Sequence, residues 1–293
     1  MNKDNHYPLP KSNTNPNFPQ DFILIHFLFF MELKIGCTGW SYDGWSGTFY
    51  PKKLEKSKWL QYYSEIFSIT EINSTYYRIP DQSITKKWNS DTPDSFRFTA
   101  KFPSIITHEH KLKDVKEHVF KFLYSCIPIY EKILALVLQL PPSLTFQEAK
   151  PRLEELFSYL PEDFKYPIEG RHKSWFTDEA FDYLKDKNCC LVWNEVHGVD
   201  NPTKLTSDYT YLRLIGDRTI SESQFGKVII DRKQLIEKWV DKIKKVEKNI
   251  KLSMIMANNH FEGFGPATAN TLRIQFGLKE LVWDEKKQQK LEF

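Results

Sequence analysis

The chain has 293 residues, of which 41% are hydrophobic and 27% are charged, and its formal net charge is only +3. This length accommodates one large α/β domain, since a single α/β barrel needs about 250 residues. The nearly balanced charge excludes a polybasic, histone-like binder of nucleic acid. The four cysteines form no C-x-x-C pair and no zinc spacing, which favours a reduced, cytoplasmic protein.

The first thirty residues differ in composition from the rest of the chain. Residues 1–21 are rich in Asn and Pro and are predicted to be disordered. Phe22–Phe30 is apolar but far shorter than the roughly 18 residues of a membrane span, and no small-residue cleavage site follows it. We therefore expect residues 1–30 to be an extension outside the fold and residues 31–293 to form one barrel domain with a short charged tail. The alternative is an N-terminal segment that plugs the bottom of the barrel.

From Leu33 onward, strand-like and helix-like patterns alternate. Apolar runs predict strands at Leu33–Thr38, Ile69–Ser74, Ser95–Lys101, Ile133–Leu140, Pro167–Arg171, Cys189–Asn194, Tyr209–Ile215 and Leu252–Ala257. Helical spacing predicts helices at Ser57–Phe67, Ser83–Asn89, Lys111–Cys126, Phe146–Leu160, Asp178–Lys187, Arg232–Lys248 and Pro266–Phe276. A loop, Val196–Thr206, replaces the helix between the sixth and seventh strands.

Eight strands with intervening helices and right-handed crossovers predict a single (β/α)8 TIM-type barrel of the α/β class. The alternative is an open, doubly wound sheet. That alternative is disfavoured because no Gly-rich phosphate turn follows the first predicted strand.

Polar residues gather near the carboxyl ends of several predicted strands. Side chains alternate along a strand, so Glu71 and Asn73 share one face, as do Thr99 and Lys101. The residues expected to reach the open mouth of the barrel are Asn73, Lys101, Gln139, Arg171, Trp193, Arg213 and Asn258. Barrel enzymes build their active sites at this end of the strands, so the pattern predicts a functional site there.

The carboxylates Glu71 and Glu169 are the candidate catalytic residues, because burial and neighbours readily tune a Glu into a general acid or base. The alternative is a buried ion-pair network that only stabilises the barrel, with Glu71 paired to Arg97 and Glu169 paired to Arg213. Histidines stand near strand ends, but no H-E-x-x-H or similar spacing exists, so no metal site is predicted and hydrogen-bonding histidines are the preferred interpretation. The alternative is a metal site formed by Glu71, His108, Glu169 and His172. The sequence indicates no particular cofactor.

Cations outnumber carboxylates at the predicted mouth, which favours an anionic ligand. Arginine binds phosphate or carboxylate groups with two parallel hydrogen bonds. Aromatic residues in the neighbouring loops could stack a ring. The predicted substrate-binding residues are Trp40, Asn73, Tyr76, Lys101, His108, Gln139, Arg171, His172, Trp193, Arg213, Asn258 and Asn259. The asparagines precede Gly263 and Gly265 in the loop after the eighth strand, a common phosphate-binding position in barrels.

Seven ordered sequence blocks carry a resemblance to a known family. The blocks are IGCTGWSYDGWSGTFYP (Ile35–Pro51), TEINSTYYRIP (Thr70–Pro80), FRFTAKFPSIITH (Phe96–His108), LVLQLPPS (Leu136–Ser143), IEGRHKSW (Ile168–Trp175), YLRLIG (Tyr211–Gly216) and ANNHFEGFGPATAN (Ala257–Asn270). Together they resemble the YecE-like family, domain of unknown function 72. The resemblance implies a TIM-type barrel and no particular reaction. Gly170 stands where the family usually has a bulky apolar residue, and Ile215 stands where a histidine is common.

We therefore expect an enzyme that binds a small anionic, phosphate-bearing and ring-containing substrate at the carboxyl mouth of the barrel. One alternative is a nucleic-acid-associated protein, either a repair-type nuclease or a binder, and another is a glycoside hydrolase. No membrane association is expected. The tail Gln288–Phe293 resembles a sliding-clamp-binding peptide, but it lacks the second aromatic residue, so a charged disordered tail is the preferred interpretation.

Overall fold

The computed structural model describes residues 31–196, 202–216 and 218–283, and in this part of the chain eight strands alternate with helices. The strands are β1 (Glu32–Cys37), β2 (Ile69–Ile72), β3 (Arg97–Lys101), β4 (Ile133–Gln139), β5 (Ile168–Glu169), β6 (Trp193–Val196), β7 (Tyr209–Gly216) and β8 (Leu252–Ala257). The helices are α1 (Trp59–Ile66), α2 (Ser74–Tyr77), α3 (Gln82–Ser90), α4 (Lys116–Cys126), α5 (Phe146–Phe157), α6 (Asp178–Asp186), α7 (Lys233–Val246), α8 (Asn259–Glu262) and α9 (Gly265–Gln275). The predicted extension, residues 1–30, and the clamp-like tail, Gln288–Phe293, lie outside the described residues.

The strands form one parallel sheet in the order β5-β4-β3-β2-β1-β8-β7-β6. The segment just before β6 joins this sheet to β5 and so completes the ring. The Ile168 amide donates to the Cys190 carbonyl at 2.8 Å, and the Val192 amide donates to the Ile168 carbonyl at 2.9 Å. The predicted TIM-type barrel is therefore confirmed.

Two apolar layers follow from the alternation of side chains along the strands. The layer inside the ring is small and consists of Ile69, Ala135, Val137, Cys190, Val192, Tyr209, Tyr211, Leu252, Met254 and Met256. The opposite parity packs outward against the helices, for example Phe98, Leu136 and Leu212. Burial of this second layer holds the helices on the barrel.

The helix boundaries show where local backbone geometry overrides periodicity. The predicted start of a helix at Lys111 is wrong, and α4 begins at Lys116 instead. Lys111, Leu112 and Asp114 have φ angles of 50°, 68° and 54°, which a right-handed helix does not allow. Leu112 is nevertheless buried, so this apolar residue contributes to the core from a turn and not from a helix.

Local capping signals agree better with the structure. The Thr145 hydroxyl accepts from the Glu148 amide, and the Glu148 carboxylate accepts from the Thr145 amide, so a capping box begins α5. Pro266 lies in the first turn of α9, where its missing amide hydrogen costs nothing. Among the described residues, no helix combines the length and the hydropathy needed to cross a membrane.

Candidate functional site at the carboxyl end of the barrel

Strand register brings charged side chains from four strands to one level of the barrel. Glu71 of β2 lies beside Thr99 of β3, two residues before Lys101. Glu169 of β5 lies beside Gln139 of β4. Arg213, on β7, shares the inward parity of Tyr211, a member of the interior layer. These side chains enter the interior above its apolar layer, at the end where the strands finish.

Arg213 is the centre of this cluster. Its Nε donates to Glu71 Oε2 at 3.1 Å and its Nη2 donates to Glu71 Oε1 at 2.8 Å, while its Nη1 donates to Glu169 Oε2. The side chains of Arg213, Glu71 and Glu169 are only 3%, 0% and 1% exposed. Burial alone would lower the pKa of Arg213, but the two carboxylates raise it above its usual value. The guanidinium is therefore permanently charged and holds two carboxylates together.

This geometry decides between the predicted ion pairs. The predicted pair of Glu169 with Arg213 is confirmed. The predicted pair of Glu71 with Arg97 is wrong, because Arg97 Nη1 donates to the backbone carbonyls of Asp94 and Phe96. Arg97 lies at the first residue of β3, one strand length below Lys101, so it approaches the opposite end of the barrel.

Neutral side chains complete the hydrogen bonds of the two carboxylates. Tyr211 donates its hydroxyl hydrogen to Glu71 Oε2 at 2.8 Å, and the same hydroxyl lies 2.7 Å from Thr99 Oγ1. Burial, together with the Glu71 charge, raises the pKa of Tyr211 well above its usual value, so it remains a donor. Gln139 Nε2 donates to Glu169 Oε2 at 2.8 Å. The buried charges are thus paired and hydrogen-bonded, as their burial requires.

Arg171 links the buried cluster to the surface. Its Nε and Nη2 lie 2.9 Å and 2.8 Å from Glu169 Oε1, and its side chain is 37% exposed. Burial would raise the pKa of Glu169, but Arg213, Arg171 and Lys101 together lower it to about 2. Glu169 is therefore ionised under all ordinary conditions.

Lys101 differs from its charged neighbours. It is partly buried at the last residue of β3, and within the described residues its ammonium has no ion pair and no hydrogen bond. Its Nζ lies 5.8 Å from the centre of the Tyr76 ring. Burial and then the nearby Arg213 lower its pKa to about 8, against the partial opposition of Glu71 and Glu169. The cluster contains three cations and two carboxylates, and Lys101 carries the excess positive charge.

The ring of Tyr76, in α2 just after β2, lies beside Lys101. Its ring meets the rings of Tyr77 and His108 edge to face, each at 5.1 Å between centres. His108 lies in a short π-helical segment, Ile105–Glu109, and its Nδ1 is 2.9 Å from Thr107 Oγ1. Burial and then the Arg171 charge lower the pKa of His108, so this imidazole is neutral near pH 7.

Other predicted binding residues have structural partners. His172 Nδ1 accepts from the Ser174 amide at 3.2 Å and caps the turn Lys173–Trp175. Asn258 Oδ1 accepts from the His260 amide at 2.9 Å and begins α8. Asn259 Oδ1 accepts from Trp45 Nε1 at 2.9 Å and from the Gly265 amide at 2.8 Å.

Asn73 and Asn258 meet on the loop after β1. Asn73 Nδ2 donates to the Thr38 carbonyl at 3.2 Å, and Asn258 Nδ2 donates to Thr38 Oγ1 at 2.8 Å. Asn73 Oδ1 is buried and has no hydrogen-bond partner among the residues that the structure describes. These amides join β1, β2 and β8 at the carboxyl end of the barrel.

Two predicted aromatic residues lie away from the charged cluster. The indole of Trp193 packs against Trp239 of α7, with 6.4 Å between ring centres, and its Nε1 donates to the Lys204 carbonyl. The prediction that Trp193 reaches the mouth is wrong, because inward parity in this segment belongs to Cys190 and Val192. Trp40 packs against Trp88 of α3 and Phe98, and it lines a cavity of about 410 Å³ on the outer layer.

Sequence reasoning missed Asn194. It follows Val192 in the inward parity, pairs in register with Arg213, and is only 6% exposed. Its Oδ1 has no hydrogen-bond partner in the described part of the chain. Cys190, Val192 and Asn194 alternate with Trp193 in the sequence, but only the register of β6 against β7 shows which of the two parities faces inward.

The described residues contain no group of three or more His, Cys, Asp and Glu side chains arranged to hold a metal ion. The cluster combines arginine, lysine and carboxylate in a form that favours recognition of a charged ligand. Arg213 is almost fully buried and donates three hydrogen bonds to the two carboxylates, so Arg171 and Lys101 are the cations of the cluster that a ligand could reach.

The chain resembles several known proteins. The sequence model of the family described as "Protein of unknown function DUF72" matches residues 34–291. UPF0759 protein YecE of Escherichia coli (strain K12) is 32% identical over 144 residues, which are 49% of this chain and 50% of that protein. UPF0759 protein YunF of Bacillus subtilis (strain 168) is 30% identical over 156 residues, 51% of this chain and 54% of that protein. The chain thus spans about half the length of these curated relatives.

Solved structures show the same fold. A DUF72 family protein of Thermotoga maritima superposes with a TM-score of 0.73 at 24% identity, covering 84% of this chain and 99% of that one. A DUF72 family protein of Enterococcus faecalis superposes with a TM-score of 0.67 at 19% identity, covering 85% and 99%. The family match extends from β1 past α9 and includes all the strands that supply the charged cluster. The chain therefore belongs to the YecE-like DUF72 family.

Proposed function

We propose that this protein binds a small anionic ligand, with a planar group, at the carboxyl mouth of the barrel, and that it is an enzyme acting on that ligand. The observation that carries the proposal is Lys101, whose partly buried ammonium has no carboxylate within ion-pair distance among the described residues. A buried charge without a partner is costly. A phosphate or carboxylate group of a ligand would supply the missing negative charge.

The surroundings of Lys101 suit such a ligand. Arg171 uses Nε and Nη2 on Glu169, which leaves its Nη1 for a second anion. Tyr76 offers an aromatic ring beside the lysine, and the rings of Tyr77 and His108 border it edge to face. A planar substituent could stack there while its anionic group meets Lys101 and Arg171.

The two carboxylates have a supporting role in this proposal. Glu169 is held ionised with a pKa of about 2 and is fully hydrogen-bonded, so it is a poor general acid. Glu71 accepts three hydrogen bonds from Arg213 and Tyr211. This argues against the glycoside hydrolase alternative, which needs one protonated carboxyl group. We propose that Glu71 and Glu169 position Arg213 and Arg171.

The test is a thermal unfolding series with inorganic phosphate, using sodium chloride at equal ionic strength as the baseline. Phosphate should raise the melting temperature, with a stabilisation of about 2.7 kcal/mol at a hundredfold excess over Kd. Lys101→Met and Arg171→Met should remove this response. Lys165→Met is the matched control. The Lys165 ammonium lies over the ring of Tyr209, which is the first residue of β7, so Lys165 is at the opposite end of the barrel from Lys101.

A phosphate response that is equal in the parent protein and in Lys101→Met would contradict the proposed site. The nucleic-acid alternative is tested with a short single-stranded oligonucleotide at low and high salt. Oligonucleotide binding that persists in both Lys101→Met and Arg171→Met would favour that alternative, because it would use another surface.

A further inference from the structure

We propose that Lys101 is an amine nucleophile that forms an imine with a carbonyl group of the bound ligand. The substrate would then be an aldehyde or ketone that also carries a phosphate or carboxylate group. This inference rests on the proposed function, which supplies the anion-binding contacts, and it adds the reacting group and the reacting residue.

The geometry separates Lys101 from the other charged groups of the mouth. Arg213 and Arg171 are fixed by carboxylates, whereas no described residue accepts a hydrogen bond from the Lys101 ammonium. The stem of Lys101 begins beside Val137, in strand register, and Val137 belongs to the apolar interior layer. The amine therefore stands on a rigid strand, above apolar packing, at the open end of the barrel. An amine that is not locked in an ion pair keeps its lone pair available for attack.

The charges around Lys101 increase the fraction of neutral amine. The titratable and charged groups near it are Glu71, Glu169, Arg171, Arg213, His108 and Tyr76. Burial and the arginines outweigh the carboxylates and lower the pKa of Lys101 to about 8. At pH 7.5 about a quarter of the amine is then neutral, against about one in a thousand for an ordinary lysine. Desolvation next to another cation is a recognised way to activate a lysine nucleophile.

The proposed step conserves atoms and charge. The neutral Nζ attacks the carbonyl carbon, the carbonyl π electrons move to oxygen, and a proton passes from nitrogen to that oxygen to give a carbinolamine. The hydroxyl group then accepts a second proton and leaves as water, and the nitrogen lone pair forms the C=N bond. The second proton is the one that the ammonium gave up before the attack, so the sum is R-NH3⁺ + O=C → R-NH⁺=C + H2O, without any oxidant or reductant. The positive charge remains next to Glu71 and Glu169, so the charge balance of the cluster is unchanged.

His108 is the group best suited to move the proton in this step. Its Nδ1 is 2.9 Å from Thr107 Oγ1, which leaves Nε2 for exchange with the substrate. Its ring meets the same Tyr76 ring that Lys101 approaches. Burial and the Arg171 charge lower its pKa, so near pH 7 it is a base that can take a proton from nitrogen and return it to oxygen.

The experiment traps the imine with sodium borohydride, which reduces C=N to a stable secondary amine. Pyridoxal 5′-phosphate is the probe, because it combines an aldehyde, a phosphate and a planar ring. Peptide mass spectrometry should find the reduced adduct at Lys101, formed at least about tenfold faster at pH 7.5 than at the average surface lysine. The rate at Lys101 should rise with pH to a plateau with a midpoint near 8.

Lys101→Arg is the informative variant, because it keeps the positive charge but lacks a nucleophilic amine. It should retain the phosphate-dependent rise in melting temperature and lose the site-specific adduct. Lys165→Met should keep both. Excess inorganic phosphate should slow labelling of Lys101 and leave surface lysines unaffected.

The outcomes separate the two proposals. A phosphate response together with labelling spread evenly over surface lysines would overturn the imine and leave the anion site standing. Fast labelling of Lys101 that phosphate does not slow would support the nucleophile and overturn the phosphate subsite. An adduct pattern that is the same in Lys101→Arg and in the parent protein would also overturn the inference.

Discussion

Replacing Arg213 by Met should destabilise the barrel by removing the cation that two buried carboxylates share. Glu71 would lose the hydrogen bonds from Nε and Nη2 and keep only the Tyr211 hydroxyl. Glu169 would lose Nη1 but keep Gln139 and Arg171. Most of the loss in the free energy of unfolding should therefore come from Glu71, whose side chain is 0% exposed.

Breaking a buried ion pair by removing one partner costs about 3–5 kcal/mol, because an uncompensated charge stays in a poorly solvated site. A domain is stable by about 5–15 kcal/mol, so Arg213→Met should fold but with a much lower urea midpoint. Equilibrium unfolding in urea, followed by far-ultraviolet circular dichroism, measures the difference. Arg171→Met is the comparison, because its partly exposed pair with Glu169 should contribute about 1 kcal/mol or less.

The double variant Glu71→Gln/Arg213→Met tests the reason for the loss. It removes the orphaned charge while leaving an oxygen for the Tyr211 hydroxyl, so it should be at least about 2 kcal/mol more stable than Arg213→Met alone. If Arg213→Met is insoluble, recovery of soluble protein in the double variant reports the same effect. A cost below about 1 kcal/mol for Arg213→Met, or no recovery in the double variant, would refute the reasoning.

Three further predictions concern neighbouring residues. The folded-state pKa of Glu169 is about 2, below its usual 4.5, so its stabilising contribution is complete above pH 4.5 and is lost as the pH falls towards 2. Between these pH values the free energy of unfolding should fall less steeply with pH in Glu169→Gln than in the parent protein. Equal slopes in the two proteins would contradict this. The folded-state pKa of Lys101 is about 8, below its usual 10.5. The buried ammonium therefore destabilises the folded state fully below pH 8, and this destabilisation disappears as the pH rises to 10.5. Lys101→Met should thus add about 1–3 kcal/mol at pH 7 in urea titrations and little above pH 10.5; a loss of stability at pH 7 would disprove it. A Cβ at Gly170 would lie 2.3 Å from Trp175 Cγ, so Gly170→Ala should cost about 1–3 kcal/mol by thermal unfolding. If the clash is the cause, this cost should be smaller in a Trp175→Leu background than in the parent protein, and an equal cost in both would contradict it.

The order of elements was available from the sequence because it depends on short-range patterns. Apolar runs separated by helical periodicity predicted all the strands of the barrel, and parity placed Glu71, Lys101 and Arg213 on the inward face. Positive φ angles at Lys111, Leu112 and Asp114 place the start of α4 later than predicted, because the apolar pattern does not distinguish a packed turn from a helix.

The partners of the charged residues depended on closure of the barrel. Arg213 is separated by 142 residues from Glu71 and by 44 from Glu169, and only the ring of strands makes both of them its neighbours. Tertiary structure also decided that Trp193 packs outward while Asn194 faces in, because register against β7 sets the parity of β6. The solitary position of Lys101 has the same origin. Its charge and parity are local properties, but whether a carboxylate reaches it depends on where the other strands place their side chains.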